Sequence, residues 1–282
     1  MTEPIQAVAQ YYDQNTRRFL RLGGSGDLAA IHRQVWGPGV SNAQQAFVYV
    51  NQLVAGALRD SRLDSYQQTT VLDLGCGVGG TATWLAGETN LSVVGISNSA
   101  LQVQSAQQRA KRLGLIGRCH FLQADFHNLP EVELAAGAYA IESFAHSPEP
   151  TLFFNQIAAK LAPGGRLVII DDFLGSAPGD PALQKLAARW VERFQTGWQL
   201  ASLMHLETAQ DLAQQAGLKL VSISDLTLYL RPLGDPWIKL VGLFSLLPIP
   251  GHQWGSWAGG IALQRCIKEG WTRYQMLVWE KI

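Results

Sequence analysis

The chain has no excess of charge of either sign. Its 22 lysines and arginines balance its 22 aspartates and glutamates among 282 residues, and the basic residues form no stripe along the sequence. Because proteins bind nucleic acids through a surplus of lysine and arginine, we expect no nucleic-acid partner. A small molecule is the partner that we expect instead.

Cysteine is also scarce. Cys76, Cys119 and Cys266 lie far apart in the sequence and have the spacing of neither a metal site nor a disulfide framework. We therefore expect no bound metal and no disulfide. The first residues lack the basic and apolar regions of a signal peptide, which favours the cytoplasm as the location.

Long hydrophobic runs are absent as well. The longest apolar stretch, residues 237–249, is interrupted by Lys239, Gly242 and Ser245, and it is too short to span a bilayer. We expect no stable membrane insertion, while peripheral contact with a membrane stays open. The expected assembly is a monomer or a homodimer.

The chain does have a regular alternation of strand and helix patterns from residue 70 onward. Short apolar runs predict strands, and the amphipathic stretches between them predict helices. The predicted strands are residues 70–74, 92–96, 119–123, 138–142, 166–171, 218–230 and 272–279. Because such alternation produces parallel βαβ units, the predicted fold class is α/β. The expected architecture is a Rossmann-like, doubly wound, seven-stranded and mostly parallel sheet.

Three regions follow from this pattern. Residues 1–60 are expected to form an N-terminal helical lid, residues 61–175 the Rossmann-like core, and residues 176–282 the last strands with inserted cap elements. The stretch 231–269 is unusually long for one connection. Its apolar part, residues 237–250, lines a pocket for a hydrophobic substrate, packs as the underside of a lid, or contacts a membrane surface.

The strongest local signal is Asp73-Leu-Gly-Cys-Gly-Val-Gly-Gly80, which follows the first predicted strand and begins a helix. Glycines at such a turn let the backbone approach a bound nucleoside closely and expose amides at the helix N-terminus. The spacing differs from the dinucleotide fingerprint, and no acidic residue ends the second strand, which argues against a nicotinamide cofactor. The Asp73 carboxylate suits a ligand that carries positive charge.

Three stretches carry a family resemblance. Val71-Leu-Asp-Leu-Gly-Cys-Gly-Val-Gly-Gly80 resembles motif I of class I S-adenosylmethionine (SAM)-dependent methyltransferases. Gly95-Ile-Ser-Asn-Ser-Ala-Leu-Gln102 is similar to the Gly-Ile-Thr-x-Ser-x-x-Gln stretch of sterol, tocopherol and cyclopropane-forming enzymes. Ala138-Tyr-Ala-Ile-Glu-Ser-Phe-Ala-His146 resembles the corresponding stretch of sterol C-24 methyltransferases. The resemblance implies SAM as the cofactor.

The resemblance also implies which residues bind SAM. Many methyltransferases end the second strand with an acid that holds the ribose, whereas Ile96 and Ser97 stand there in this chain, so Ser97 and Gln102 are the implied ribose contacts. Asp125 and Phe126 match positions that contact the adenine amino group and cover the ring. The implied SAM-binding residues are Asp73, Gly75, Cys76, Gly77, Ile96, Ser97, Gln102, Asp125, Phe126 and Glu142.

Candidates for the chemistry follow the fourth and fifth predicted strands. Glu142 ends the fourth strand and His146 comes four residues later, so one turn can place both on the same side. His146, with an ordinary pKa of ~6.5, can accept a proton from an alcohol, phenol or ammonium acceptor, or it has an orienting role only. Glu142 can stabilise a carbocation, accept the proton whose loss follows alkene methylation, or only bind SAM. Of the Asp171–Asp172 pair at the end of the fifth strand, Asp172 completes the predicted catalytic set.

Two aromatic residues are candidates for covering the site. Tyr12 lies in a predicted helix that is similar to the tyrosine-bearing first helix of the small-molecule methyltransferases, where it closes over SAM. His32 and Trp36 fall where relatives carry a lid segment. Tyr12 and Trp36 are therefore predicted to contact the substrate or to cover the donor.

The function that follows is transfer of a methyl group from SAM to a hydrophobic small molecule of secondary metabolism. The acceptor atom stays open between carbon, nitrogen and oxygen, and a terpenoid, an indole or a similar natural product is expected. The alternative is a methyltransferase-like protein repurposed as a cyclase or as a non-catalytic binding protein. The neutral charge and the absence of an Asn-Pro-Pro-Tyr-type motif argue against methylation of RNA or protein.

Overall fold

A computed structural model describes residues 28–59, 69–232, 234 and 252–282 of the chain. The predicted helix that contains Tyr12 and the apolar stretch 237–249 lie outside the described residues. Among the described residues, no helix combines the length and the apolar character that crossing a membrane requires.

Seven strands and seven α-helices follow one another in the described parts of the chain. The helices are α1 (Ala43–Arg59), α2 (Gly80–Glu88), α3 (Ala100–Arg112), α4 (Pro150–Lys160), α5 (Pro181–Trp198), α6 (Leu206–Gln215) and α7 (His252–Glu269). The strands are β1 (Thr69–Leu74), β2 (Leu91–Ser97), β3 (Cys119–Gln123), β4 (Ala135–Ile141), β5 (Leu161–Leu174), β6 (Leu218–Asp225) and β7 (Thr272–Lys281). Short 3₁₀ turns lie at Phe144–His146 and Thr227–Tyr229.

The strands form one sheet in the order β3-β2-β1-β4-β5-β7-β6. The five strands from β3 to β5 pair in parallel, and β7 runs antiparallel to both β5 and β6. The predicted α/β, doubly wound, seven-stranded and mostly parallel fold is confirmed. The chain changes direction along the sheet between β1 and β4, where ligands of such folds bind beyond the carboxyl ends of the strands.

Alternating residues of the central strands fill two separate cores, one on each face of the sheet. Val71 of β1 and Tyr139 of β4 belong to the core that α1 covers, whereas Leu72 of β1 and Ala138 of β4 belong to the core that α4 covers. A strand with both faces buried must be apolar along its whole length. The near-continuous hydrophobic runs that predicted β1, β4 and β5 reflect this burial.

Several predicted strand boundaries differ from the structure, and three of the differences concern the ends of β4, β5 and β6. β5 continues to Leu174, because Asp171, Asp172 and Phe173 all pair with β7; the two aspartates thus lie inside the strand and not at its end. β4 ends at Ile141, and Glu142 follows it with a φ of 50°. β6 ends at Asp225 and gives way to a 3₁₀ turn. The extension of β5 comes from its pairing with β7, a strand that is remote in sequence.

The helices α5 and α7 pack against each other beside the carboxyl end of β5. They cross where Gly197 meets Gly259, and a Cβ added to Gly197 would lie 2.6 Å from the Gly259 Cα. Trp190, Phe194 and Trp271 are buried in the core that this helix pair forms. These two tryptophans therefore serve packing.

Candidate active site

The glycine loop between β1 and α2 forms the floor of the site. Gly75, Gly77 and Gly79 have φ values of 87°, 52° and 77°, which residues with a Cβ rarely adopt. The amides of Gly75 and Cys76 both donate to the Ile96 carbonyl at 2.9 Å. A Cβ on Gly75 would lie 2.5 Å from the Ser143 Cβ. The loop is therefore held between β2 and the turn after β4, with no room for a side chain.

A cavity of about 800 Å³, part of it open to solvent, lies above this loop at the carboxyl ends of β1, β2 and β4. A smaller cavity adjoins it and shares Ile31, His32, Gly75, Gly77 and Ile141 with it. Together the two cavities bring together every residue predicted to bind SAM: Asp73, Gly75, Cys76, Gly77, Ile96, Ser97, Gln102, Asp125, Phe126 and Glu142. His146 also lines the larger cavity.

The polar residues at the end of β2 hold one another in place. The Ser97 hydroxyl donates to Gln102 Oε1 at 2.8 Å, and the Ser99 hydroxyl accepts from the Gln102 backbone amide at 3.1 Å. Ser99 is thus the N-cap of α3, and this cap fixes where the first turn places Gln102. Ser97 and Gln102 are both buried and line the cavity. Their arrangement fits the ribose contacts that the family resemblance implies.

A histidine that sequence reasoning missed supports the predicted adenine contacts. Asp125 Oδ1 accepts from the His127 backbone amide at 2.9 Å and contacts His127 Nδ1 at 2.7 Å. His127 Nε2 lies 2.6 Å from the Ser147 hydroxyl. Burial opposes ionisation of Asp125, but the two hydrogen bonds from His127 outweigh it and lower the Asp125 pKa. The ring of Phe126 packs between those of His127 and Phe153.

Arg33 is the second residue that the sequence did not reveal. Its backbone amide and its Nε donate to Glu142 Oε1 at 2.8 and 3.1 Å, and its Nη1 and Nη2 donate to the two oxygens of Asp172 at 3.0 and 2.7 Å. The guanidinium also lies 3.9 Å from the centre of the Tyr274 ring, and the Tyr274 hydroxyl donates to Glu142 Oε1 at 2.9 Å. We call Arg33, Glu142, Asp172 and Tyr274 the arginine cluster.

The arginine cluster sets the charge of Glu142. Burial alone would raise the Glu142 pKa, but the charge of Arg33 and the hydrogen bonds outweigh burial and hold the pKa below its ordinary value. Glu142 is therefore ionised at neutral pH, which suits an anion that faces a cationic ligand and not a proton acceptor. Asp172 lines neither of the two cavities described above, so its contact with the site runs through Arg33.

His146 lies in the 3₁₀ turn that follows Glu142. Its Nδ1 is 3.1 Å from the Gln199 carbonyl, so Nδ1 carries the proton and Nε2 is the basic nitrogen. Burial lowers the His146 pKa, which keeps the imidazole neutral near pH 7. Asp171 holds the turn by accepting from the Ala145 amide at 3.0 Å, and this contact assigns Asp171 a positioning role.

The buried carboxyl of Asp73 completes the fit to SAM. Burial raises the pKa of Asp73 to about 7, and Asp73 lines the smaller cavity beside the glycine loop. A buried carboxylate gains most from a ligand that brings positive charge, and SAM carries both a sulfonium and an ammonium. The glycine loop, which lines both cavities, and this buried acid both fit the cofactor.

The remaining predicted residues are placed elsewhere. The Trp36 amide donates to the Tyr229 carbonyl at 2.8 Å, and the Trp36 ring lies 3.5 Å from the Arg231 guanidinium. Trp36 lines neither described cavity, whereas His32 of the same segment lines both. Tyr12 lies outside the described residues. Within the part of the chain that the structure describes, no group of histidine, cysteine and acidic residues has the geometry of a metal site.

Comparison with known sequences gives a consistent family. A family model described as a methyltransferase domain matches residues 65–222. Methyltransferase GfsG of Streptomyces halstedii is 36% identical over 193 residues, which are 68% of this chain and 67% of that protein. The 27-O-demethylrifamycin SV methyltransferase of Amycolatopsis mediterranei is 30% identical over 247 residues, 87% of this chain and 85% of that protein.

Solved structures share the fold over nearly the whole chain. Geranyl diphosphate methyltransferase, in complex with geranyl diphosphate and sinefungin, superposes with a TM-score of 0.77 at 18% identity and 100% coverage of both chains. The [4+2]-cyclase SpnF superposes with a TM-score of 0.73 at 25% identity, covering 98% of this chain and 96% of that chain. The first likeness concerns the fold alone.

Proposed function

Because this chain belongs to the SAM-dependent methyltransferase family, we propose that it methylates a hydroxyl oxygen of a hydrophobic natural product and that His146 is the base. The cofactor of the family, SAM, supplies an electrophilic methyl group. The observation that carries the proposal is the geometry of His146, a neutral imidazole whose basic Nε2 belongs to a side chain that lines the cofactor cavity.

The proton balance of the reaction requires such a group. When the acceptor oxygen forms its bond to the methyl carbon and the bond from that carbon to sulfur breaks, the hydroxyl proton must leave the oxygen. His146 Nε2 accepts that proton, and the resulting imidazolium returns it to water after product release. A neutral histidine suits this task because a base must be unprotonated before the reaction begins.

Glu142 supplies fixed negative charge and does not accept the proton. Arg33 and Tyr274 donate to it, and its pKa lies below the ordinary value. A carboxylate held ionised beside the cofactor cavity stabilises the positive charge of the donor, and it also stabilises the imidazolium that forms on His146.

The named relatives support oxygen as the acceptor atom. The relative from Amycolatopsis mediterranei is named for the 27-O position of a rifamycin, and a relative from Penicillium expansum, 36% identical over 61% of this chain and 59% of that protein, is named an O-methyltransferase. A hydroxylated, largely apolar metabolite is therefore the acceptor class that we propose.

The three cysteines, all buried and unpaired, support the cytoplasm as the proposed location.

The experiment compares His146→Ala with His120→Ala, a control on the exposed side of β3. Hydroxylated polyketides, phenols and terpenoids are screened with SAM, and S-adenosylhomocysteine release and product mass are measured. We expect His146→Ala to lower turnover by about 10²- to 10⁴-fold, the usual contribution of a general base, with SAM affinity preserved in calorimetry. Unchanged turnover in His146→Ala would remove His146 from the reaction.

A second candidate is a cyclase, because SpnF shares the fold at 25% identity over nearly the whole chain. The same screen separates the two functions. A methyltransferase yields a product heavier by one CH₂ together with stoichiometric S-adenosylhomocysteine. A cyclase yields an isomer of the substrate and leaves SAM intact.

A further inference from the structure

We propose that Arg33 is a positioning residue. It orients Glu142 towards the cofactor cavity and holds the segment 28–36 over the SAM site. The site is therefore complete only when that segment is closed over it. The proposal rests on SAM binding by the family and adds a role for a residue that no motif marks. Three observations carry it: the directions of the hydrogen bonds to Glu142, the contacts of the segment 28–36, and the charge of the arginine cluster.

The hydrogen bonds select one oxygen of Glu142. Among the described residues, all three donors, the Arg33 amide, Arg33 Nε and the Tyr274 hydroxyl, reach Oε1. Glu142 lines the cavity and keeps 16% of its side chain exposed. Oε2 is therefore the oxygen that Glu142 presents to a bound ligand. Because Glu142 has a φ of 50°, its conformation needs support from the surrounding contacts.

The guanidinium is the group that can make this set of contacts. Its Nε donates to Glu142 while its two terminal nitrogens donate to the two oxygens of Asp172, and its central carbon lies over the Tyr274 ring. Lysine has a single compact ammonium group, which cannot reach two carboxylates and stack on a ring at once. The arginine cluster thus ties together Glu142, which follows β4, with Asp172 inside β5 and Tyr274 near the start of β7.

The same residue fastens the segment 28–36 over the glycine loop. Ile31 and His32, which precede Arg33, line both cavities. The segment sits directly on the first turn of α2, where a Cβ added to Gly80 would lie 2.5 Å from the Ala29 carbonyl oxygen. Since the Arg33 backbone amide itself binds Glu142, Glu142 cannot gain its full set of donors while the segment is lifted.

The charges in and around the arginine cluster indicate how the loss of Arg33 would change the site. Arg33 faces Glu142 after β4, Asp172 on β5, Tyr274 on β7 and His32 on its own segment, and Asp171 and His146 lie next to these groups. Without Arg33, two buried carboxylates face each other with no cation between them, and one of them must take up a proton.

The test compares Arg33→Gln with Arg166→Gln. Arg166 also makes a partly buried ion pair, with Glu280, but it lies at the other end of β5. We measure the dissociation rate of radiolabelled SAM after a chase with S-adenosylhomocysteine. We expect SAM to dissociate about 10- to 100-fold faster from Arg33→Gln, because a set of charged hydrogen bonds is lost. The dissociation rate from Arg166→Gln should be unchanged. This readout needs no acceptor, so it is independent of the proposed oxygen chemistry.

Two further variants separate positioning from simple loss of stability. Arg33→Lys keeps the charge and should leave SAM dissociation clearly faster than in the wild type, because one ammonium cannot replace the guanidinium. Gly80→Ala should accelerate dissociation in the same way by displacing the segment. On any acceptor that the screen identifies, Arg33→Gln should lower kcat and move the acidic limb of the pH profile to higher pH.

The proposal is overturned if Arg33→Gln and Arg33→Lys lower the denaturation midpoint as Arg166→Gln does while SAM dissociation stays at the wild-type rate. Should Arg33→Gln fail to fold, Arg33→Lys and Gly80→Ala decide the matter by the same measurement. If these variants release SAM quickly and no methylated product is found for the wild type, the proposed role of Arg33 is supported and the proposed methylation is wrong.

Discussion

Replacement of Gly75 by alanine tests the glycine loop most directly. The residue has a φ of 87°, and its new Cβ would lie 2.5 Å from the Cβ of Ser143 and 2.9 Å from its hydroxyl oxygen. The left-handed backbone costs about 1–2 kcal/mol for a residue with a Cβ, and forcing a methyl group into a packed site costs about 1–3 kcal/mol. The free energy of unfolding should therefore fall by about 2–5 kcal/mol, the sum of these two costs.

Gly39→Ala is the matched control. Gly39 has a similar φ of 80°, but among the described residues no heavy atom lies within 4 Å of the position that the added methyl group would take. Only the backbone cost, about 1–2 kcal/mol, is expected there. Combining Gly75→Ala with Ser143→Gly removes the colliding atoms, so the double variant should recover the part of the loss that is due to overlap.

The assay is urea denaturation followed by calorimetric titration with SAM. The slope of the unfolding free energy against urea should stay constant while the midpoint falls. SAM affinity should fall in Gly75→Ala, since the loop and Ser143 move apart, and recover in part in the double variant. If Gly75→Ala loses no more stability than Gly39→Ala, or if Ser143→Gly gives no recovery, the close approach of the two segments is not the constraint described above.

The other predictions concern the two polar ends of the SAM site. Burial raises the Asp73 pKa to about 7, and a cationic ligand binds the ionised carboxyl, so SAM affinity should fall by up to about tenfold per pH unit below pH 7. Calorimetry across this range should show an affinity that does not change with pH for Asp73→Asn. A wild-type affinity that is equally independent of pH would contradict the assignment. The raised pKa of Asp73 in the folded state contributes stability that is fully present below the ordinary pKa of about 4 and is lost as the pH rises through about 7. In urea denaturation without ligand, Asp73→Asn should therefore be more stable than the wild type above pH 7. This difference should disappear in acid. His127→Ala removes the contacts to Asp125 and Ser147 and should weaken SAM binding by about tenfold; His120→Ala is its control, and equal affinities in the two variants would show that His127 does not support the adenine contacts.

The sequence alone determined the features that depend on neighbours along the chain. The strand–helix alternation predicted the α/β sheet, and α2 begins at Gly80, where the glycine motif was predicted to begin a helix. The glycine loop needs positive φ values at residues that follow one another closely, so its signature is visible in a short window. The same holds for Ser97 and Gln102, five residues apart and joined by one hydrogen bond. Local geometry of this kind indicates the donor site.

Tertiary structure decided what surrounds that donor site. Arg33 lies 109 residues from Glu142 and 139 from Asp172 in the sequence, and neither its own surroundings nor theirs marks the contact. The length of β5 depends on its pairing with β7, and this pairing moves Asp172 from a strand end into a buried strand beside the segment 28–36. Ion pairs between distant segments form because folding brings burial and opposite charge to one place. A sequence pattern records neither the burial of a residue nor the charges that folding brings next to it. The ionisation of Glu142 and the orientation of its carboxylate could therefore be derived only from the folded chain.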